Sequence, residues 1–534
     1  MIARSKLVTP VSLANVVSRY VHIGTLTQAL KILHMSEIPV KYLLLGNLRK
    51  CTSVPEALYS TYINLLKSKF NNEVDCQGNN IMEPFLDMCF AQTDSSNCQM
   101  SNNFVQSMSG MQYGMNKKKY REVRQWKSVG NGNITGNSST NGEGDFILRL
   151  LTYNILAQNL LETHSYLYKY HNESALSWER RKPLIHQEII EAGANVICIQ
   201  EMQMDHLEEF IMPFAANGFD YLYKKRTNDM RDGLLLLFRR NQLKLVDHVH
   251  VEYHQTSTDI LNRDNVGIVA KFSLRDSPET HIVISTTHLL YNPKRSDVRL
   301  AQTQVLFAEL ERISFIENTR DGPNYHPIIV CGDFNLQPFT GVYQFIVDGN
   351  FQYLGKGRKL EESGFRRLSN SLIPSSLLIT DNCQHFNVLT RRLRGSGDEQ
   401  TMLYSKEETR EENRESPGSI IPKEVDIESS DYQKITITEG QYATFSSGAL
   451  THPFKIKSVY AHSNCSGEAE ATTHQDQWIT VDYIFYTDIE LLDRYRLPTV
   501  AECKEFPAIP NFVVGSDHLC LGATFKLKRK RSVR

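Results

Sequence analysis

The strongest constraint on how this chain folds is a series of short apolar runs, each ending abruptly in polar residues. The runs fall at 147–156, 196–201, 234–238, 266–272, 282–288, 328–334, 479–486 and 519–525. They are rich in Leu, Val and Ile and bounded by Gly, Pro, Asn or Asp, which is the signature of buried β-strands. Only two stretches carry clear helical spacing. Leu184, Ile185, Ile189 and Ile190 share one face of 178–192, and Leu300, Val305, Leu306, Leu310 and Ile313 share one face of 296–316. Many strands with few interleaved helices predict an α+β fold of two packed sheets with helices outside.

The flanks are different in kind. The protein is expected in the cytoplasm; the alternative is mitochondrial, because residues 1–36 hold Arg4, Lys6, Arg19 and Lys31 and no acidic residue, the pattern of a transit segment. Residues 37–145 read as a low-complexity linker, because their Asn-, Ser- and Gly-rich second half buries too little apolar surface to offset chain entropy. A charged stretch over 391–431 lacks any apolar period and reads as a solvated insertion, and 528–534 is a basic tail. The catalytic part is therefore expected over 146–527. No apolar run reaches the length of a membrane span. The net charge is −1, so binding to a polyanion has to come from a local patch or a metal rather than a global field. The ten cysteines lack CxxC spacing, and Cys198 and Cys331 sit within strand runs as small core residues, which argues against a zinc or redox centre.

The chemistry is concentrated at the strand ends. Thr152-Tyr153-Asn154, Gln200-Glu201, Thr287-His288, Gly332-Asp333-Phe334-Asn335, Val481-Asp482-Tyr483 and Ser516-Asp517-His518 each cap an apolar run, so a sheet of any topology could gather them on one rim. Taken singly, each is as consistent with a surface carboxylate or an Asx turn; six together are not. Oxygen ligands without clustered Cys or His favour Mg²⁺ or Mn²⁺ over zinc. A phosphodiester needs its charge neutralised and a water aimed in line. Glu201 suits a metal, Asp333 can orient and deprotonate a water, and an Asp–His pair can act on the phosphate.

In that order these residues resemble the signature series of the endonuclease/exonuclease/phosphatase superfamily. Longer stretches, 151–158, 263–267, 287–293 with Ser296-Asp297 and Gln302-Thr303, and 479–486, resemble its deadenylase-type branch, and within it the Angel proteins. The resemblance covers about residues 146–527. It implies a four-layer αββα sandwich with a Mg²⁺ site at its rim (Mn²⁺ as the alternative ion). It assigns metal binding to Glu201 and Asp517 with Asn154 beside them, water activation to Asp333, phosphate contacts to Asn335 and His288, and stabilisation of the pentacovalent species to His518 oriented by Asp482. Asn265 and Asn292 are the expected substrate-binding positions. The implied partner is an RNA 3′ end, attacked either as poly(A) or as a terminal 2′,3′-cyclic phosphate. The superfamily also holds phosphodiesterases of non-RNA esters, so fold alone does not name the substrate. The N-terminal region leaves room for a non-catalytic scaffold of mRNA decay, or for contacts with mRNA-decay or translation factors.

Overall fold

The computed structural model describes residues 111–129, 144–256, 258–362, 366–394, 432–475, 477–506 and 508–530, all within the compact unit Gly110–Arg534. Residues 1–110 and 395–431 lie outside the described residues, and with them the transit-segment, scaffold and partner expectations.

Thirteen strands build two large sheets. They are β1 (Trp126–Ser128), β2 (Phe146–Asn154), β3 (Val196–Gln203), β4 (Phe219–Lys225), β5 (Asp232–Arg239), β6 (Leu243–Glu252), β7 (Val266–Leu274), β8 (His281–His288), β9 (Ile328–Asp333), β10 (Lys457–Ser458), β11 (Asp482–Tyr486), β12 (Glu490–Tyr495) and β13 (Leu521–Leu527). The first sheet runs β1-β12-β13-β2-β3-β5-β4, the second β10-β11-β9-β8-β7-β6. Most of their residues are buried on both faces, so the strands read as continuous apolar runs rather than alternating ones. Leu148, Leu150, Cys198, Leu234, Ile268, Ile284, Cys331, Ile484 and Phe525 fill the space between the sheets. Both strand cysteines are core residues, as their setting in the sequence implies.

Helices close both outer faces. Helices α2 (Trp178–Ala192) and α3 (Leu207–Ala216) cover the first sheet through Trp178, Ile185, Ile189, Phe210 and Phe214. Gly193, at φ 65°, ends α2 in the left-handed conformation that favours glycine. Helices α4 (Ser296–Ser314) and α5 (Gly341–Asp348) cover the second. The αββα layering follows. The helix expected over 296–316 stops at Ser314, because Phe315–Thr319 pairs with Gly322–Tyr325. It is buried nearly all round rather than on one face: Phe345, Tyr353, Leu372, Ile379 and Leu450 pack on the side turned away from the sheet. The strand expected over 479–486 is two pieces. Gln477–Ile479 pairs with Thr473–Gln475, and the amides of Val481 and Asp482 both donate to the Thr472 hydroxyl as the chain turns into β11.

Two boundaries need correction. The linker does not run to 145, since α1 (Met111–Val123) and β1 are part of the catalytic unit. β1 extends the first sheet beyond β12, Tyr120 joins the inter-sheet core, and the buried Arg124 donates to the carbonyls of Arg496 and Cys520 while pairing with Glu188. An amphipathic signal this short is masked by its Lys-rich surface. A chain that starts at Gly144 is therefore expected to lose about 3–5 kcal/mol of stability relative to one that starts at Gly110, the scale of deleting a large buried aromatic. Thermal unfolding of the two proteins checks this, and equal midpoints would refute it. The insertion likewise begins after Arg394 rather than at 391. Arg391–Arg394 completes helix α6 (Phe386–Arg394), and Arg392 Nη1 donates to both carboxylate oxygens of Glu311, at 2.8 and 2.9 Å. In the basic tail, Arg529 pairs with Asp276. Among the described residues no helix is long and apolar enough to cross a membrane.

Candidate active site

The strand ends that carry polar residues converge where the two sheets face each other. β2 and β3 are parallel neighbours in one sheet, as are β8 and β9 in the other. Asn154 therefore lies beside Gln200, and Asp333 beside His288 across the β8–β9 ladder and Asp482 across β9–β11.

Local features aim each side chain. Glu201 sits in a β-bulge, where the β3–β5 register slips between Ile199 and Met202 and the backbone takes φ 61°. Such a bulge redirects a side chain that regular pleating would send elsewhere, and a non-glycine residue held there stores strain of the kind found at functional sites. The Glu201 carboxylate accepts from Asn154 Nδ2 at 3.0 Å and from the Ala157 amide at 2.9 Å. Gly332 precedes Asp333 for a steric reason: a Cβ there would lie 2.0 Å from the Thr287 carbonyl oxygen. Its absence lets β9 close against β8 and carry Asp333 into the rim. Phe334 anchors the other side of the turn in the core, and the Asn335 amide donates to Asp333 Oδ1 at 2.9 Å.

Asp333 is the hub. Its Oδ2 accepts from Asn154 Nδ2 at 3.0 Å and lies 3.4 Å from His288 Nε2 and 3.8 Å from His518 Nε2. His518 Nδ1 is 2.9 Å from Asp482 Oδ2, a carboxylate–imidazole pair that fixes the ring with Nε2 toward Asp333. Donor atoms of Asp333, Asp482 and His518 all lie within 4.8 Å of one another and form a buried group able to hold a metal ion. Asp517 accepts from the Tyr168 hydroxyl at 2.7 Å, and Ser516 Oγ donates to the Asn154 carbonyl at 2.7 Å.

The electrostatics are those of a site with excess negative charge. Burial, then Asp482, pushes the Asp333 carboxyl up to about 8, against the pull of His518 and Asn154. Desolvation, then Asp232 and Asp517, pushes Glu201 up to about 7. Burial opposes the charge on His518, but Asp482, Asp333 and Asp517 outweigh it and hold the imidazole well above its usual range. His288 is pushed down to about 3 by burial, then by Arg226 and His518, so it is a neutral ring at physiological pH. Carboxylates and an amide oxygen whose charge the surrounding residues do not relieve are the donor set that hard divalent cations take.

Of the residues singled out in the sequence, Asn154, Glu201, His288, Asp333, Asn335, Asp482, Asp517 and His518 come together. Asn265 comes close in another capacity. Its Nδ2 donates to the His288 carbonyl at 3.1 Å and its Oδ1 accepts from Gln302 at 3.1 Å, so the amide holds the His288 strand end rather than facing outward. Asn292 is exposed and closes an Asx turn with the Lys294 amide, outside the hydrogen-bonded cluster. Sequence reasoning missed Tyr168 and Arg181. Arg181, fully buried, donates to the carbonyls of Ile155, Leu156 and Gly515 and so ties together the loops behind Asn154 and Asp517. Within Trp178-Glu179-Arg180-Arg181-Lys182 nothing distinguishes it from a solvated helix turn.

Known proteins are similar to this chain in sequence and fold. The sequence profile of the Endonuclease/Exonuclease/phosphatase family matches residues 151–518. Protein angel homolog 2 of Danio rerio is 31% identical over 411 residues, 72% of this chain and 64% of that relative's length. Its Homo sapiens counterpart is 32% identical over 420 residues, covering 72% of this chain and 70% of the relative. The crystal structure of ANGEL2, described as a 2′,3′-cyclic phosphatase in complex with adenosine-2′,3′-vanadate, matches 76% of this chain and 98% of its own at 31% identity and a TM-score of 0.58. With the profile spanning every strand end of the rim cluster from Asn154 to His518, the chain belongs to the endonuclease/exonuclease/phosphatase family and, within it, groups with the Angel proteins.

Proposed function

We propose that the protein is a metal-dependent phosphoric ester hydrolase that opens the 2′,3′-cyclic phosphate at an RNA 3′ end. The observation that carries this is the Asp482–His518 pair directed at Asp333, with Glu201 joined to Asp333 through one Asn154 amide. Similarity to ANGEL2 supports the choice of substrate. Glu201, with Asp517 and Asn154, would hold the ion, and Mg²⁺ suits these oxygen donors, with Mn²⁺ as the substitute. When bound, the cation supplies neutralisation of the phosphate and of the crowded carboxylates.

The residues divide the remaining work. Asp333, lowered toward its ionised form once the surrounding negative charge is offset, accepts the proton of a water as the water oxygen bonds to phosphorus. One ring P–O bond breaks, the ribose oxygen leaves as an alkoxide that takes a proton from solvent, and Asp333 returns its proton to solvent, leaving a 2′- or 3′-phosphomonoester. His518, kept charged by Asp482, donates to the non-bridging oxygen on which negative charge accumulates, while Asn335 and the neutral His288 steady the phosphate.

The test gives the full-length protein two RNAs of equal sequence, one ending in a 2′,3′-cyclic phosphate and one in a poly(A) tail with a free 3′ hydroxyl. Opening of the cyclic phosphate without shortening of the tail is expected. Tail removal with the cyclic phosphate left intact would replace this reading with deadenylation, which the same water and carboxylate chemistry also serves.

A further inference from the structure

Arranged by strand, the site residues form two facing rows. Asp482 and His518 stand at one end, Asn154 and Asp333 next, then Glu201 and His288. At the far end lies a pair that the reaction above does not use. Arg226 follows β4 and Asp232 opens β5, with Lys225 opposite Gly233 in the hairpin register. Asp232 also lies opposite Gln203, just past the Glu201 bulge.

This pair is costly as a purely structural feature. Asp232 is fully buried, and neither of its carboxylate oxygens has a hydrogen bond; nor has Arg226 Nε, which is 3.3 Å from Asp232 Oδ2. A buried ion pair without supporting hydrogen bonds does not recover its desolvation cost. Neighbouring cations are committed elsewhere. Lys224 is held by Glu252, and Lys225 by the carbonyls of Asn228 and Met230. The loop that carries Arg226 is pinned across the seam between the sheets, since Thr227 and Asn228 both donate to Asp264 Oδ1 at 2.6 Å, next to Asn265 and its grip on His288. The His288 imidazole, depressed first by its burial, is lowered further by the Arg226 charge.

Strand spacing of about 4.8 Å sets the distance. Asp232 is on the second strand along from β2, whose Asn154 touches Asp333, so the guanidinium is displaced by about 10 Å from the reacting centre. That is too far for the phosphate under attack and suits the next one along a strand. Its fork of donors, oriented by a carboxylate, is the form in which arginine binds phosphate oxygens. We propose that Arg226, positioned by Asp232, binds the internal phosphodiester one nucleotide inward from the reacting 3′ end, and so makes the enzyme prefer an RNA strand to a lone nucleotide. This rests on the RNA 3′-end reading above.

The test compares a nucleoside 2′,3′-cyclic monophosphate, which has no internal phosphate, with a dinucleotide ending in the same cyclic phosphate. Arg226→Met in the full-length protein is expected to lower kcat/KM on the dinucleotide about 10–100-fold, the worth of one charged hydrogen-bonded contact, and to leave the mononucleotide within about twofold. Replacing the internal phosphate by a neutral methylphosphonate should cost the wild type as much and the variant nothing further. Arg226→Lys should recover part of the loss. Equal losses on both substrates, or none on either, overturn the proposal. If the wild type opens neither substrate, the RNA reading fails, and the same comparison is made by affinity for the two intact molecules. Loss of the dinucleotide preference in Arg226→Met then upholds the contact, and an unchanged preference removes it.

Discussion

Replacing Asp333 by Asn is expected to lower turnover by about 10²–10⁴-fold, the usual contribution of a general base, with RNA affinity within about tenfold of the wild type. The substitution keeps the side chain's size and the oxygen that accepts from the Asn335 amide. It turns the basic oxygen that accepts from Asn154, 3.4 Å from His288 and 3.8 Å from His518, into an NH2 donor. It also relieves a buried carboxyl that is pushed up to about 8 by burial and Asp482, which offsets part of the cost of the lost acceptor for Asn154. Single-turnover kinetics beside equilibrium binding separate the two effects. A variant that reacts at the wild-type rate would reduce the Gly332–Asn335 turn to a structural element.

Glu201→Ala should be as damaging and for a different reason. If Glu201 holds the cation, its loss forfeits several kcal/mol of charge stabilisation, about three orders of magnitude in rate, and millimolar Mg²⁺ should not restore it. EDTA should silence the wild type in the same way, with recovery on adding Mg²⁺ or Mn²⁺. Calorimetric titration of Mg²⁺ into the two proteins distinguishes loss of the ion from loss of structure: the binding isotherm should vanish in Glu201→Ala while the unfolding temperature holds. Truncation also removes a side chain from a left-handed position at φ 61°, a local strain that alanine retains, so no compensating stabilisation is expected. Full activity of the chelated enzyme would exclude a metal at this site.

The sequence by itself determined eight of the thirteen sheet strands, the two main helices and the polar residues that gather at the rim. Each of these is written in local chemistry. A strand buried on both faces must be apolar throughout, so the runs ending at Asn154, His288 and Asp333 stand out, and the polar residues that stop them mark where the sheet meets solvent. Gly332 could be read as part of a motif, although only the 2.0 Å approach of the Thr287 carbonyl shows why no other residue fits. Helix α2 ended where its spacing placed it, at the left-handed Gly193.

Tertiary structure decided what depends on partners far along the chain. The segment from Tyr120 through β1 looks like linker because its burial rests on Tyr120, Arg124 and Trp126, whose partners Glu188, Cys520 and Tyr495 come from other parts of the chain. Helix α4 reads as amphipathic because its local spacing marks one face, whereas the elements covering the opposite face begin some thirty residues later. Glu201 ends a strand like any surface carboxylate, and only the register slip against β5 turns it into the rim. Asn265 has the composition of a substrate contact, yet its amide is engaged by Gln302 and the His288 carbonyl. Arg181, Arg226 and Asp232 are ordinary charges in the sequence. A buried charge is defined by the solvent it has lost and by the group that faces it, and both are properties of the packed sheets that no local pattern of residues encodes.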